Sequence, residues 1–123
     1  MDIIISNDSD KPIYEQITSQ IKNQIMQGVL REGDALPSMR TLAKELRISV
    51  ITTKRAYEEL EREGFITTVV GKGSFIKAAD TRLLREENLK RIEEHFQEAI
   101  RIASESGVTR QELEEIFAIL YEG

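Results

Sequence analysis

Residues 36–43 read Leu-Pro-Ser-Met-Arg-Thr-Leu-Ala, and residues 48–55 read Ile-Ser-Val-Ile-Thr-Thr-Lys-Arg. Serine is favoured immediately before a helix because its hydroxyl accepts a hydrogen bond from an amide of the first turn. Ser38 and Ser49 therefore predict the starts of two short helices joined by a tight turn. The second helix opens with polar and basic residues, and such a pair is typical of a helix-turn-helix that presents its second helix to DNA.

The segments on either side extend this pattern into a winged helix-turn-helix. Pro12, whose φ is preset for a first helical turn, precedes an apolar repeat with three- and four-residue spacing, which predicts a first helix. After the third helix, residues 65–70 and 74–77 are rich in β-branched and aromatic side chains. Residues 71–73, Gly-Lys-Gly, predict a hairpin turn between these two runs. The hairpin is predicted to form the wing.

From residue 80 onward the chain reads as two amphipathic helices. Apolar side chains recur at three- and four-residue intervals up to Gly107, and Thr109 with Glu112 has the capping-box pattern that starts a last helix. A segment of about 40 residues cannot bury two apolar faces alone, so these faces pack on the N-terminal domain, on each other or on a second copy. We favour dimerisation, for which the candidate residues are Leu89, Ile92, Phe96, Ile100, Leu113, Ile116, Phe117 and Leu120.

Charge is distributed unevenly along the chain. The net charge is −5, yet residues 1–79 carry 11 Lys and Arg against 11 Asp and Glu, while residues 80–123 carry 6 against 11. Residues 38–55 contain five basic side chains and one acidic side chain, a local excess of +4. Affinity for DNA depends on the charge that faces the phosphates rather than on the total. The acidic total therefore does not exclude a DNA-binding protein.

Composition excludes several other classes. The chain has 123 residues, enough for one core and a small appendage, and its lack of cysteine excludes disulfides, thiolate metal sites and a cysteine nucleophile. No apolar run approaches the roughly 20 residues of a membrane span, and the N-terminus lacks the basic start of a signal peptide. We therefore expect a cytoplasmic protein with no membrane partner.

An enzyme is the rival functional class. His95 is the single histidine, and although Glu94, His95 and Glu98 have helical spacing for a metal, one histidine among surface glutamates is weak evidence. The glycine-rich turn at residues 71–73 joins two strands, whereas a phosphate-binding P-loop joins a strand to a helix. We expect no enzymatic activity, no cofactor and no metal. A second alternative is a winged-helix adaptor that contacts other proteins and does not bind DNA specifically. An acidic recognition helix would support this alternative.

The order of these segments resembles the GntR family of bacterial transcription regulators. The resemblance rests on residues 36–43, on the run from Val50 to Phe65 that leads into a strand, and on residues 71–75, Gly-Lys-Gly-Ser-Phe. The short helical tail resembles the YtrA subfamily. The resemblance implies a homodimeric regulator, usually a repressor, that binds an inverted-repeat operator, often near transporter genes.

The predicted DNA-contacting residues are Ser38, Arg40, Ser49, Val50, Thr52, Lys54, Arg55, Gly71 and Lys72. The family resemblance implies contacts at the positions of Arg40, Ser49, Thr52, Lys54 and Gly71. From the residues alone, Thr52 and Lys54 lie off the apolar stripe at the start of the third helix, where a helix N-terminus favours phosphate. Lys72 at the wing tip is expected on phosphate or in the minor groove. Several relatives carry arginine at the position of Val50, so we expect an apolar contact there, for example to a thymine methyl group.

Together these patterns predict a mainly α fold with a small β-hairpin wing. Residues 1–78 are expected to form a winged helix-turn-helix DNA-binding domain, and residues 79–123 a two-helix dimerisation tail. This tail is too short to enclose a ligand pocket of the usual size, so the sequence identifies no small-molecule effector. Any control by a ligand is expected to act by changing the distance between the two DNA-binding domains of the dimer.

Overall fold

The computed structural model describes residues 1–77 and 80–123. Within those ranges the chain forms five helices and two strands: α1 (Ile13–Met26), α2 (Met39–Leu46), α3 (Val50–Arg62), β1 (Ile66–Val69), β2 (Gly73–Ile76), α4 (Arg82–Ser106) and α5 (Arg110–Glu122). The predicted mainly helical fold with a hairpin is confirmed. The chain divides into two compact units, unit 1 (Met1–Asp80) and unit 2 (Thr81–Gly123). The predicted domain boundary between residues 78 and 79 lies outside the described residues.

The core of unit 1 lies where α1 and α2 pack on α3. The largest fully buried side chains come from these three helices and from β1, and they are Tyr57, Ile17, Ile21, Leu42, Leu60, Ile66 and Thr53. Burying one large apolar side chain contributes about 1.5–3 kcal/mol. Their combined burial fixes the angle between α2 and α3, the two helices that carry most of the predicted contact residues.

The wing is an antiparallel hairpin whose turn begins one residue earlier than predicted. Ile66 lies opposite Ile76 at one end of the hairpin, and Val69 lies opposite Gly73 at the other end. Gly73 therefore belongs to the sheet, and the turn begins at Val70. Gly73 has a φ of 107°, a conformation that glycine adopts without strain.

A short segment of the chain before α2 pairs with strand β2 of the hairpin. Ala35 forms an isolated antiparallel bridge with Phe75, and the Ile76 amide donates a hydrogen bond of 2.8 Å to the carbonyl of Asp34. No sequence pattern predicted this pairing because a single bridge is too short to show strand alternation. The pairing anchors the wing to the chain that leads into α2.

Three glutamines of α1 hold the N-terminal segment along the helix. The bonded pairs are Gln16 with Ser6, Gln20 with Ile4 and Gln24 with Asp2. Gln20 makes two bonds, accepting from the Ile4 amide at 2.9 Å and donating to its carbonyl at 2.7 Å. Four residues of a helix span about 6 Å along its axis, which is close to the length of two residues of an extended chain. This match allows successive glutamines to reach alternate residues of the segment.

Unit 2 consists of α4 and α5. Gly107, with a φ of 73°, ends α4, and Thr109 and Glu112 form the predicted capping box at the start of α5. Helix α5 turns back along α4, so that the ring centroids of Phe96 and Phe117 are 6.3 Å apart. The prediction of two helices in the tail is therefore confirmed.

Candidate nucleic-acid interface

The predicted contact residues of α2 lie in its first turn. Ser38 Oγ accepts a hydrogen bond from the Thr41 amide at 3.1 Å and donates to Thr41 Oγ1 at 2.8 Å, which confirms the predicted cap. Arg40, the second residue of α2, is exposed near the positive end of the helix dipole. An exposed guanidinium at this place can donate hydrogen bonds to phosphate oxygens or to guanine edges.

The first turn of α3 is closed by two hydroxyl groups. Ser49 Oγ accepts from the Thr52 amide at 3.1 Å, and the hydroxyl oxygens of Ser49 and Thr52 are 2.8 Å apart. Since only one of these hydroxyls donates to the other, one O–H is left for an outside acceptor. The amides of Val50 and Ile51 have no hydrogen-bond acceptor within the helix because they belong to its first turn. The start of α3 can therefore bind phosphate.

The two basic residues predicted on α3 have different surroundings. The Lys54 ammonium is 3.7 Å from the Glu58 carboxylate one turn further on, an exposed ion pair that contributes little to stability. The Arg55 guanidinium carbon lies 3.8 Å from the ring centroid of Tyr14 on α1. A cation over an aromatic face is held in place by the ring electrons. Arg55 is therefore more ordered than an isolated surface arginine, although it remains exposed.

Tyr57 fixes the start of α2 against α3. Its hydroxyl donates a hydrogen bond of 2.7 Å to the Pro37 carbonyl, and the side chain is 2% exposed. Burial, and to a smaller extent the negative charge of Glu45, raises the pKa of the Tyr57 phenol well above its ordinary value. The hydroxyl therefore stays protonated and keeps its bond to the residue before the Ser38 cap.

The tip of the wing consists of Val70, Gly71 and Lys72, all exposed. Val70 exposes 98% of its surface. Gly71 has a φ of 78°, and no atom lies within 4 Å of the position its Cβ would take. The backbone conformation therefore favours glycine, and the missing side chain leaves the backbone of the wing tip accessible to a bound molecule.

The predicted contact residues do not include three exposed residues at the end of α2, in the first turn of α3 and at the wing tip, which are Arg47, Ile51 and Val70. Arg47 ends α2 with a left-handed φ of 57°, and arginine carries no sequence signal for that conformation. Ile51 is 80% exposed. Its place off the apolar stripe of α3 was the signal that could have identified it. The nine residues that were predicted lie at three places in unit 1: the start of α2, the first two turns of α3 and the wing tip.

The eight predicted dimerisation residues all lie in unit 2. Leu113 is half-buried, and the other seven expose between 40% and 74% of their surface. An apolar groove of about 620 Å³ runs between α4 and α5, with Phe96, Ile100 and Phe117 among its lining residues. Exposed apolar surface that is contiguous, unlike single exposed residues, is typical of an interaction site.

Within residues 1–77 and 80–123, no group of three or more His, Asp or Glu side chains is placed to hold a metal ion. His95 is exposed on α4. No helix in the same ranges is long and apolar enough to cross a membrane.

The serine-capped helix pair, the exposed basic side chains in the first two turns of these helices and the hairpin that follows define a winged helix-turn-helix protein. The family described as bacterial regulatory proteins, gntR family, matches residues 13–76. The chain belongs to the GntR family and, with its short two-helix tail, to the YtrA subfamily. It is a transcriptional regulator and not an enzyme.

Individual relatives support this assignment. The HTH-type transcriptional repressor YtrA of Bacillus subtilis (strain 168) is 39% identical over 107 residues, which cover 87% of this chain and 82% of the relative. A transcriptional antiterminator from Listeria monocytogenes EGD-e superposes with a TM-score of 0.68 at 35% identity, over 100% of this chain and 91% of the other. YtrA from Sulfolobus acidocaldarius, a GntR-family transcription factor, has a TM-score of 0.61 at 38% identity, over 73% and 95%.

Proposed function

We propose that this protein is a homodimeric repressor that binds an inverted-repeat operator in double-stranded DNA in the cytoplasm. The observation that carries the proposal is the pair of capped helix N-termini at Ser38 and Ser49, which stand beside exposed basic side chains on two rigidly packed helices. The name of the Bacillus subtilis relative supports repression. A location beside transporter genes rests on the family resemblance alone.

Each contact has a distinct task in the proposed complex. Helix α3 enters the major groove with its first two turns, where Thr52 and Lys54 reach phosphates or base edges. Arg40 on α2 reaches the backbone or a guanine beside the groove. Arg55, held on the ring of Tyr14, donates to the backbone. The wing places Lys72 on phosphate or in the adjacent minor groove.

Dimerisation through unit 2 is the second part of the proposal. Its support is the apolar stripe of α4 and α5, where seven of the eight candidate residues expose at least 40% of their surface. Covering this stripe with a second copy removes apolar surface from water at about 25 cal/mol per Å². A symmetric pair also fits the proposed inverted-repeat operator, because each half-site would then contact one DNA-binding domain.

The experiment that tests the proposal is selection of DNA sites by the full chain from a randomised duplex library. We expect enrichment of one inverted repeat, with half-sites about one helical turn apart. Enrichment of a single half-site would contradict the dimer, and no enrichment of any sequence would contradict specific DNA binding and favour the adaptor alternative.

A matched pair of variants then tests the proposed surface on the selected site. Arg40→Ala should weaken binding by about 1 to 3 kcal/mol. Arg62→Ala removes the same charge from the last turn of α3, far from the capped end, where the side chain is exposed and pairs with Glu59. Equal losses in the two variants would show a general charge effect and would contradict a contact by Arg40.

A further inference from the structure

Two apolar side chains are exposed together at the start of α3. Val50 exposes 46% of its surface and Ile51 exposes 80%. The other exposed residues of α3, which lies wholly in the described part of the chain, are all charged: Lys54, Arg55, Glu58, Glu61 and Arg62. Single exposed apolar residues are common, but neither packing nor solubility explains an apolar pair in the first turn of this helix.

Helix geometry places Ile51 on the basic face of α3. Lys54 and Arg55 follow it by three and four residues, the spacing that brings side chains to the same face. Helical side chains lean toward the N-terminus of the helix. Ile51 therefore lies at the N-terminal end of this face, before Lys54 and Arg55. A molecule that covers the face must therefore offer negative charge to the cations and an apolar group to Ile51.

The major groove of duplex DNA supplies both. Its phosphates are anionic, and the C5-methyl group of thymine is the apolar group that base pairs display in this groove, since cytosine lacks it. We propose that Ile51 is a specificity-determining residue that binds the C5-methyl group of one operator thymine. This inference rests on the proposed function because it requires α3 to enter the major groove. Val50 was already expected to make an apolar contact, and the proposal assigns a second apolar contact to Ile51, which is more exposed than Val50.

The test compares thymine with deoxyuridine, which pairs with adenine in the same way but lacks the methyl group. Each thymine of the selected operator is replaced in turn, and the Kd of the full chain is measured by fluorescence anisotropy. Burial of one methyl group changes an equilibrium about four-fold. We expect at least one replacement to weaken wild-type binding by about this factor and, at the thymine that Ile51 contacts, to leave binding by Ile51→Ala unchanged.

Val29→Ala is the matched control because Val29 is an apolar residue, 63% exposed, outside α2, α3 and the wing. This variant should keep both the wild-type affinity and the sensitivity to the methyl group. The inference is overturned if no replacement weakens wild-type binding, or if Ile51→Ala stays as sensitive as the wild type at every thymine whose replacement weakens wild-type binding. Either result leaves the proposed function standing, whereas failure to select any operator removes the proposed function and this inference with it.

Discussion

Arg47 sets the backbone conformation of the turn between α2 and α3. Its φ of 57° and ψ of 46° are left-handed, and the amide of the next residue, Ile48, donates to the Ala43 carbonyl at 3.0 Å. This conformation costs a side-chain-bearing residue about 1 kcal/mol or more relative to glycine. An arginine therefore stands where glycine fits better, and it contributes a positive charge to the basic stretch of residues 38–55.

Arg47→Gly should separate conformational strain from charge. We expect the free energy of unfolding to rise by about 1 kcal/mol relative to Arg47→Ala, because both variants lose the charge but only glycine relieves the left-handed backbone. Urea denaturation of both variants measures the difference. Equal stability of the glycine and alanine variants would contradict strain at this position.

At the scale of the element, the wing is a short hairpin whose exposed tip carries Lys72. One bridge, from Ala35 to Phe75, joins the hairpin to the chain before α2. The tip therefore has a defined place relative to the capped start of α2. A hairpin anchored in this way can hold a lysine at one position on a duplex.

Lys72→Ala should weaken DNA binding to a similar degree on every sequence. If the ammonium contacts one phosphate, its loss reduces the slope of log K against log salt by about 0.9. Binding measured over a salt series gives this slope. Lys77→Ala, at an exposed position after β2, is the control and should leave the slope unchanged. A loss confined to one operator sequence would argue against phosphate contact by Lys72.

The α2–α3 pair depends on the buried hydroxyl of Tyr57. At pH 7, Tyr57→Phe should lower the free energy of unfolding by about 1 kcal/mol, since the Pro37 carbonyl loses its donor. The pKa of Tyr57 is raised in the folded chain, so its stabilising effect is complete below the unfolded value of about 10 and decreases as pH rises above it.

Urea denaturation between pH 7 and pH 11 measures this dependence. The difference between the wild type and Tyr57→Phe should narrow above pH 10, because the unfolded tyrosine ionises while the folded one keeps its proton. Tyr121→Phe is the control, since Tyr121 is 82% exposed. A difference that stays constant over the whole pH range would contradict a raised pKa for Tyr57.

At the scale of the whole molecule, the N-terminal and C-terminal parts of the chain differ in charge and in surface. The residues from 80 to 123 hold the entire net charge of −5, while residues 1–79 are neutral overall and carry the basic stretch. The acidic part also carries the exposed apolar stripe. DNA contact and self-association are therefore expected to use different units, so that one can be altered without removing the other.

Ile92→Glu in the full chain should convert the proposed dimer to a monomer, because each copy would place a carboxylate in the apolar interface. Sedimentation velocity measures the mass, and binding to the inverted repeat should weaken to the affinity of a single half-site. Gln97→Glu adds the same charge at an exposed position on another side of α4 and should remain dimeric. A dimeric Ile92→Glu variant would contradict an interface on this stripe.

Local sequence determined the helices, their caps and the wing. Ser38, Ser49 and the Thr109–Glu112 box are short-range signals, because a cap is complete within three residues of its helix start. The apolar stripe of α3 was also correct, since helical periodicity alone indicates which residues face the core. The hairpin turn was misplaced by one residue because both Gly71 and Gly73 have positive φ, and only strand pairing shows which of them lies in the sheet.

Only the tertiary structure decided the surroundings of the candidate contact residues. The contacts of Arg55 with Tyr14 and of Tyr57 with Pro37 join residues from different elements, and no local pattern encodes such pairs. For Ile51, helical periodicity indicates a place off the apolar stripe, and only the packing of the rest of the chain decides that 80% of its surface stays uncovered. Secondary structure follows from interactions within a few residues, whereas surface chemistry follows from how the helices pack, and packing depends on the whole chain.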